Sequence, residues 1–279
     1  MNKEIQLITA DKVIELAGKD VQIELGEDGQ ALLLGVETET SELKLDTHTT
    51  NKLIVPYGKR SKVKLADGSR IWLNSGTELE FPSTFDGKTR QITIRGEMYL
   101  EVNRDETKSF IVHVPGFDIL VHGTKFNVSA YADNHIQTVV LTEGKIEVTS
   151  PDRSPVMLSP NEMLLLQPDK WRKDTVNAQQ HISWIDGMLY LNKISVTDVL
   201  KKIRRYYNVE FVMDEHELQA KTCTGKLYLS DDIDDVMISL SAISATEYHH
   251  ERGKIHVKLK NTTLMTKDNL KKKHTNRII

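Results

Sequence analysis

Glu78, Glu80, Glu97 and Glu101 lie close together in the sequence, and paired carboxylates about 5 to 10 Å apart are the machinery of glycoside hydrolysis. Alternate residues of one strand are spaced on that scale. Glu97 and Glu101, however, fall on the polar side of an alternating segment, where a carboxylate meets solvent without any catalytic reason. A solvated strand face is the expectation. His249, His250 and His256 offer imidazoles suited to zinc or nickel. Strand neighbours point to opposite sides, so His249 and His250 cannot readily share an ion. His256 with one of them gives two ligands where a zinc site takes three or more, and surface histidines are the expectation, as for His113 and His122.

The run Asp231, Asp232, Asp234, Asp235 lacks the alternation, central glycine and final glutamate of a calcium loop. It suits a helix N-terminus, where carboxylates meet the positive end of the dipole. No phosphate loop, dinucleotide fingerprint or serine elbow occurs. Trp72, Trp171 and Trp184 could stack on sugars, and Trp72 alone, set on the opposite face from Ile71 and Leu73, is placed to do so; packing under a neighbouring strand is its other reading. The residues thus predict no catalytic group, no metal site and no cofactor.

Composition narrows the class further. In 279 residues, 40 acidic side chains against 37 basic ones leave the chain almost neutral, which implies no nucleic-acid partner. The longest uncharged stretches, such as 236–246, are far short of the ~20 residues that span a bilayer. The first residues carry charges and no apolar core, so no secretory signal is read there. Cys223 is the one cysteine, which excludes an internal disulfide and a cysteine-based zinc site.

The elements that position these residues are strands first. From about Val21 to Pro168, apolar and polar residues alternate, punctuated by glycine turns. In 91–102, Ile92, Ile94, Met98, Leu100 and Val102 share one face with Gly96; Gln91, Thr93, Arg95, Glu97, Tyr99 and Glu101 share the other. Gly96 at an inward position predicts a bulge or bend. Val21–Gly35 and Val63–Asn74 resemble each other, each a strand, an Asp-Gly and a second strand, with Asp28-Gly29 and Asp67-Gly68 read as tight turns. Repeated hairpins suit a curved sandwich or a β-solenoid.

Beyond Trp184 a stronger repeat appears. Gly187-Met188-Leu189-Tyr190-Leu191 matches Gly225-Lys226-Leu227-Tyr228-Leu229, from 187 to 225 an offset of 38. Val196, Val199, Leu200, Ile203 and Tyr206 then match Ile233, Val236, Met237, Leu240 and Ile243, both sets spaced as a buried helical stripe. With strands expected at 209–213 and 246–250, the region reads as two βαβ units, one layer of helices on a sheet. Ser195 with Asp198 resembles a capping box.

Leu65–Val102 (LADGSRIWLNSGTELEFPSTFDGKTRQITIRGEMYLEV) and Phe110–Tyr131 (FIVHVPGFDILVHGTKFNVSAY) carry a family likeness. The Asp-Gly-Ser turn with its following strand and Leu-Asn, an arginine before the next strand, Gly96-Glu97, and Gly123-Thr124 before Phe126-Asn127-Val128 resemble, in order and spacing, the FecR-like domain of Gram-negative anti-sigma factors. His122 departs from the apolar residue usual before Gly123. The segment from Trp184-Ile185-Asp186-Gly187 through Tyr207-Asn208-Val209 to Thr224-Gly225 is similar to the small domain that follows it, itself similar to the short N-terminal signalling domain of secretins and TonB-dependent receptors.

Composition, repeat and resemblance together divide the chain into a β segment over 1–52 packing on or continuing into a FecR-like domain over 53–170, a linker over 171–184, an α+β docking domain over 185–260 and, from its polar and lysine-rich residues, a flexible basic tail over 261–279. The resemblance implies a non-enzymatic, periplasmic part of a single-pass inner-membrane protein. Its partners would be the signalling domain of a TonB-dependent receptor and a cytoplasmic sigma factor. Family members hold the sigma factor through an N-terminal segment followed by a membrane helix, and neither is read in this sequence. Strand addition at Leu189, Tyr190 and Leu191 or at Leu227, Tyr228 and Leu229 is the expected docking mode. A carbohydrate-binding or lectin-like β module is the alternative, and a hydrolase a distant third.

Overall fold

The computed structural model describes residues 3–35 and 41–260. The described residues fall in two compact units, one drawn from 3–35, 41–189 and Arg205–Asn208, the other from Tyr190–Arg204 and 209–260. In the first unit eighteen strands make one continuous hydrogen-bonded network, best understood as two sheets that share the strand Arg90–Glu101. One sheet runs in the order Val13–Leu16, Ile5–Ile8, Thr50–Val55, Thr77–Pro82, Arg90–Glu101, Phe110–Val114, Phe117–Val121, Ile146–Ser150, Arg153–Leu158. The other runs Ser41–Lys44, Gln30–Leu34, Asp20–Leu25, Arg60–Lys64, Arg70–Leu73, Arg90–Glu101, Lys125–Ala130, Gln137–Glu143, Glu162–Leu166, Trp171–Thr175.

The shared strand changes sheet at Gly96. Thr93–Arg95 pair with Glu78–Glu80 in one sheet, and Gly96–Glu101 pair with Lys125–Ala130 in the other. Gly96 has φ +117°, and a Cβ there would lie 2.6 Å from Thr77 Oγ1. That hydroxyl accepts from Glu97 N–H at 3.0 Å and donates to Glu97 C=O at 3.2 Å, so it holds the bend from both sides. Only glycine satisfies both the backbone and the space. The expected bend is therefore present. Inward faces of the two sheets meet in one apolar core, with Leu53, Leu79, Ile94, Val112 and Ile119 from one and Ile23, Ile71, Leu73, Leu100 and Phe126 from the other. Phe81, Phe110 and Phe126 are its largest fully buried side chains, each stabilising the fold by about 2–3 kcal/mol through burial. The mainly β architecture expected for this part, a curved sandwich, holds.

Both Asp-Gly turns form. Gly29 and Gly68 have φ +79° and +83°, and the preceding aspartates accept from Gln30 N–H at 3.1 Å and Ser69 N–H at 3.0 Å. The two similar hairpins lie side by side through a parallel pairing of Asp20–Leu25 with Arg60–Lys64, Ile23 opposite Val63. A sequence repeat has become a lateral pair. The expected linker over 171–184 is instead regular structure. Trp171–Thr175 is an edge strand, Ala178–Ile182 a helix and Ser183–Asp186 a 3-10 turn. Trp171 holds the segment down, its ring edge-on to Phe117 at 6.4 Å.

The repeated strands, Met188–Ser195, which enters the second unit at Tyr190, and Thr222–Tyr228, pair with each other in a two-stranded sheet. Val196, Val199, Leu200 and Ile203 are buried from the helix Val196–Tyr207, and Val236, Met237 and Leu240 from the helix Ile233–Ser244. Ile243, expected in the second stripe, is 37% exposed; Ser244 turns inward in its place, its hydroxyl donating to Leu240 C=O at 2.7 Å. The N-cap half of the expected capping box forms: Asp198 N–H donates to Ser195 Oγ at 3.1 Å, and that hydroxyl donates to the Asp198 carboxylate at 2.6 Å. Asp232 caps the other helix by accepting from Asp234 N–H at 2.9 Å.

The single expected sheet is divided. Phe211–Met213 and Thr246–Glu251 flank Lys254–Leu259 in a separate three-stranded sheet, and a short helix, Glu215–Gln219, joins the first of these strands to Thr222–Tyr228. Residues 261–279, expected to be a basic tail, lie outside the described residues.

Candidate functional site

The Asp-Gly-Ser turn and the arginine before the shared strand, distant in sequence, meet at one point. Arg90 is 2% exposed. Its Nη1 donates to the Asp67 carboxylate at 2.7 Å and to Asn103 C=O at 2.8 Å, while Nε and Nη2 donate to Lys108 C=O at 3.1 and 2.9 Å. Its guanidinium stands 5.2 Å from the centre of the Phe110 ring. Asp67 also accepts from Ser69 Oγ at 2.8 Å, and Asn103 N–H donates to that same hydroxyl at 3.0 Å. Buried charge persists only when paired and hydrogen-bonded, and here every guanidinium nitrogen is. These motif residues are a staple that joins the Asp67–Ser69 turn to the segment 103–108.

Glu97, expected on a solvated face, is 5% exposed, and this is a correction. Asn74 Nδ2 donates to its carboxylate at 2.8 Å and Asn127 Nδ2 at 3.3 Å; Trp184 Nε1 in turn donates to Asn127 Oδ1 at 3.0 Å. Trp184, itself 5% exposed, covers the sheet there. Trp72 lies against Tyr99, ring centres 5.4 Å apart, and burial pushes the Tyr99 hydroxyl above its ordinary pKa. The reading of Trp72 as packed is the one the geometry gives. A cleft of about 220 Å³ beside Trp72, Trp184 and Arg60 is smaller than the ~300–1,000 Å³ of small-molecule sites.

The remaining carboxylates are taken up by bases. Glu78 and Glu80 share Lys52 at 2.7 and 3.5 Å, and Glu101 pairs with Arg70 at 2.7 Å. With Glu97 held by two amides, the four do not assemble into an acid–base pair. Cys223 is buried, and desolvation raises its thiol pKa, the opposite of an activated nucleophile.

The six residues expected to dock a partner divide by environment. Leu191 and Leu227 are 3% and 0% exposed and belong to the core. Leu189, Tyr190 and Leu229 are half-buried, with the Lys226 ammonium 5.0 Å from the Tyr190 ring centre. Tyr228 is 63% exposed. Among the described residues, each strand of this sheet is paired along one edge. Ile238 and Ile243 stand exposed on the helix Ile233–Ser244, which packs on the strand Thr222–Tyr228. Sequence reasoning missed Ile238; its signal is an isoleucine lying off the buried stripe, on the side a surface helix fills with polar residues.

His249 and His256 face one another across the hairpin with Glu251 on the same side, their ligand atoms within 4.8 Å of one another. His250 points the other way, to Asp234 at 2.8 Å. The expected separation of His249 from His250 is as observed, and a third donor, which the sequence reading did not assign, completes the group.

Residues 46–147 match the model of the family FecR protein, and residues 188–257 that of FecR, C-terminal. The two together take in more than half of the chain, which belongs to the FecR-like anti-sigma factor family. Two crystal structures, at 2.50 and 1.65 Å, of a chain assigned as an anti-sigma factor from Parabacteroides distasonis ATCC 8503 are similar to it. Each has a TM-score of 0.71 and 29% identity; the first match covers 76% of this chain and 100% of that one, the second 75% and 99%. No curated protein matches. The family carries a signal-relay role and implies a sigma factor as partner. Among the described residues no helix is long and apolar enough to cross a membrane.

Proposed function

We propose that this chain is the periplasmic, signal-relaying part of a transmembrane anti-sigma factor. Its second unit binds the signalling domain of a TonB-dependent outer-membrane receptor, and the bound state regulates a cytoplasmic sigma factor. Its work is binding and not turnover. The observation that carries this reading is the two-stranded sheet Met188–Ser195 and Thr222–Tyr228, with its open edges beside exposed Tyr228, Ile238 and Ile243. An open edge offers unpaired N–H and C=O groups to a partner's strand. A small α+β partner brings a strand of its own, and the apolar side chains supply the anchors that set specificity.

Calorimetric titration of the full chain with a receptor signalling domain tests this. The expected result is one-to-one binding that Tyr228→Ala and Ile238→Asp each weaken at least tenfold, about 1.4 kcal/mol. Backbone shifts confined to the first unit on addition of the receptor domain would reverse the assignment. Selective binding on a glycan array would favour the lectin-like alternative.

A further inference from the structure

We propose that His249, Glu251 and His256 form a binding site for a divalent transition-metal ion of the zinc, nickel or copper type on the face of the three-stranded sheet opposite the helix Ile233–Ser244. The turn that creates it is two residues long. Arg252 and Gly253 have φ +50° and +76°, the positive pair that defines a type I′ hairpin. That turn fixes the register, with Glu251 opposite Lys254 and therefore His249 opposite His256. Glu251 is two residues from His249 on the same strand, so all three side chains leave the sheet on one side.

The geometry is close to that of a bound state. The imidazoles stack with centres 4.9 Å apart and planes 20° from parallel. Glu251 Oε2 is 3.9 Å from His249 Nε2 and 3.7 Å from His256 Nε2. Tetrahedral zinc with bonds of about 2.0–2.1 Å sets its ligand atoms about 3.3 Å apart, so small side-chain rotations bring the three donors onto one ion. Two imidazoles and a carboxylate select borderline metals over calcium or magnesium, which take oxygen donors.

The two lysines on this face are engaged elsewhere, and the arginine of the turn reaches the oxygen of Glu251 that faces away from the histidines. Lys254 pairs with Glu210 at 2.8 Å and Lys258 with Glu247 at 3.1 Å; Arg252 reaches Glu251 Oε1 at 3.9 Å, leaving Oε2 toward the histidines. His249 and Glu251 are half exposed, so water or a partner's side chain completes the coordination sphere.

The test is calorimetry of the chelator-treated full chain with zinc chloride and nickel chloride, together with imidazole NMR during the zinc titration. One site is expected. His249→Ala, His256→Ala and Glu251→Gln each weaken it at least tenfold with unchanged circular dichroism, and His250→Ala, on the opposite face, leaves it within twofold. In the unsubstituted chain the ring signals of His249 and His256 shift together as zinc is added and that of His250 does not. No saturable site, an affinity unchanged in His256→Ala, or equal loss in His250→Ala would each overturn the proposal.

Discussion

Replacing Arg90 by methionine keeps most of the side-chain volume and removes the charge. The guanidinium it deletes makes four hydrogen bonds, one of them to Asp67, whose side chain is 14% exposed, and is itself 2% exposed. The substitution strands the Asp67 carboxylate with only the Ser69 groups to face it, and leaves the Asn103 and Lys108 carbonyls without this donor. Breaking a buried pair from one side destabilises by about 3–5 kcal/mol. The Phe110 ring stack adds to the loss, by about 0.5–2 kcal/mol for a cation over an aromatic face. Trp72, Trp171 and Trp184 are the chain's three tryptophans and all lie in the first unit, so fluorescence during urea unfolding reports that unit alone. With a denaturant slope of about 2.5 kcal/mol per M, the combined loss of about 3.5–7 kcal/mol should lower the midpoint by about 1.4–2.8 M. A double-mutant cycle with Asp67→Asn should recover a coupling above about 1 kcal/mol. A midpoint within about 0.3 M of the parent, or a cycle that sums to zero, would refute the staple and reduce Arg90 to filler.

Gly96→Ala should destabilise the same transition by about 1–3 kcal/mol or more, since it adds backbone strain at φ +117° and a contact with Thr77; thermal unfolding followed by tryptophan fluorescence measures it. Cys223 should resist a thiol reagent in the native chain and react only as the second unit opens, because it is 3% exposed and burial disfavours its thiolate; labelling rates with and without urea decide. Asp234, hydrogen-bonded to His250, titrates below the ordinary aspartate value of 3.8. A carboxylate depressed in the folded state adds stability above that value and loses it as pH falls through the folded pKa. Carboxyl-carbon NMR should therefore find its midpoint below 3.8, and Asp234→Asn should flatten the acid limb of stability.

Much of this was legible in the residues, and what was not has a common cause. The alternation over 91–95 predicts burial correctly because that stretch is covered on one face. It fails at Glu97 and Tyr99 because the covering side chains, Trp72, Asn74, Asn127 and Trp184, come from three other parts of the chain; a period of two names a face without saying what lies over it. The edge strand Trp171–Thr175 reads as a linker because Arg172, Lys173 and Thr175 are exposed and only Trp171 anchors it. The 37-residue repeat predicts both helices, since each carries its own stripe, but a division into two sheets is set by pairings between distant strands. At the candidate sites, the six docking residues sit on two strands that the repeat identified, with Leu191 and Leu227 turned inward by a pleat the sequence does display. The metal-binding group was half visible: Arg252-Gly253 implies the turn, and the turn implies the register that sets His249 opposite His256.

The strand Arg90–Glu101 has a mechanical meaning as well. Because it is an interior member of both sheets, a load that would slide one sheet over the other must shear its rows of hydrogen bonds to Thr77–Pro82 and Phe110–Val114 or to Arg70–Leu73 and Lys125–Ala130. Rows loaded in shear yield together and not one at a time. A force that slides one sheet against the other therefore loads both sets of pairings through the one strand that belongs to each.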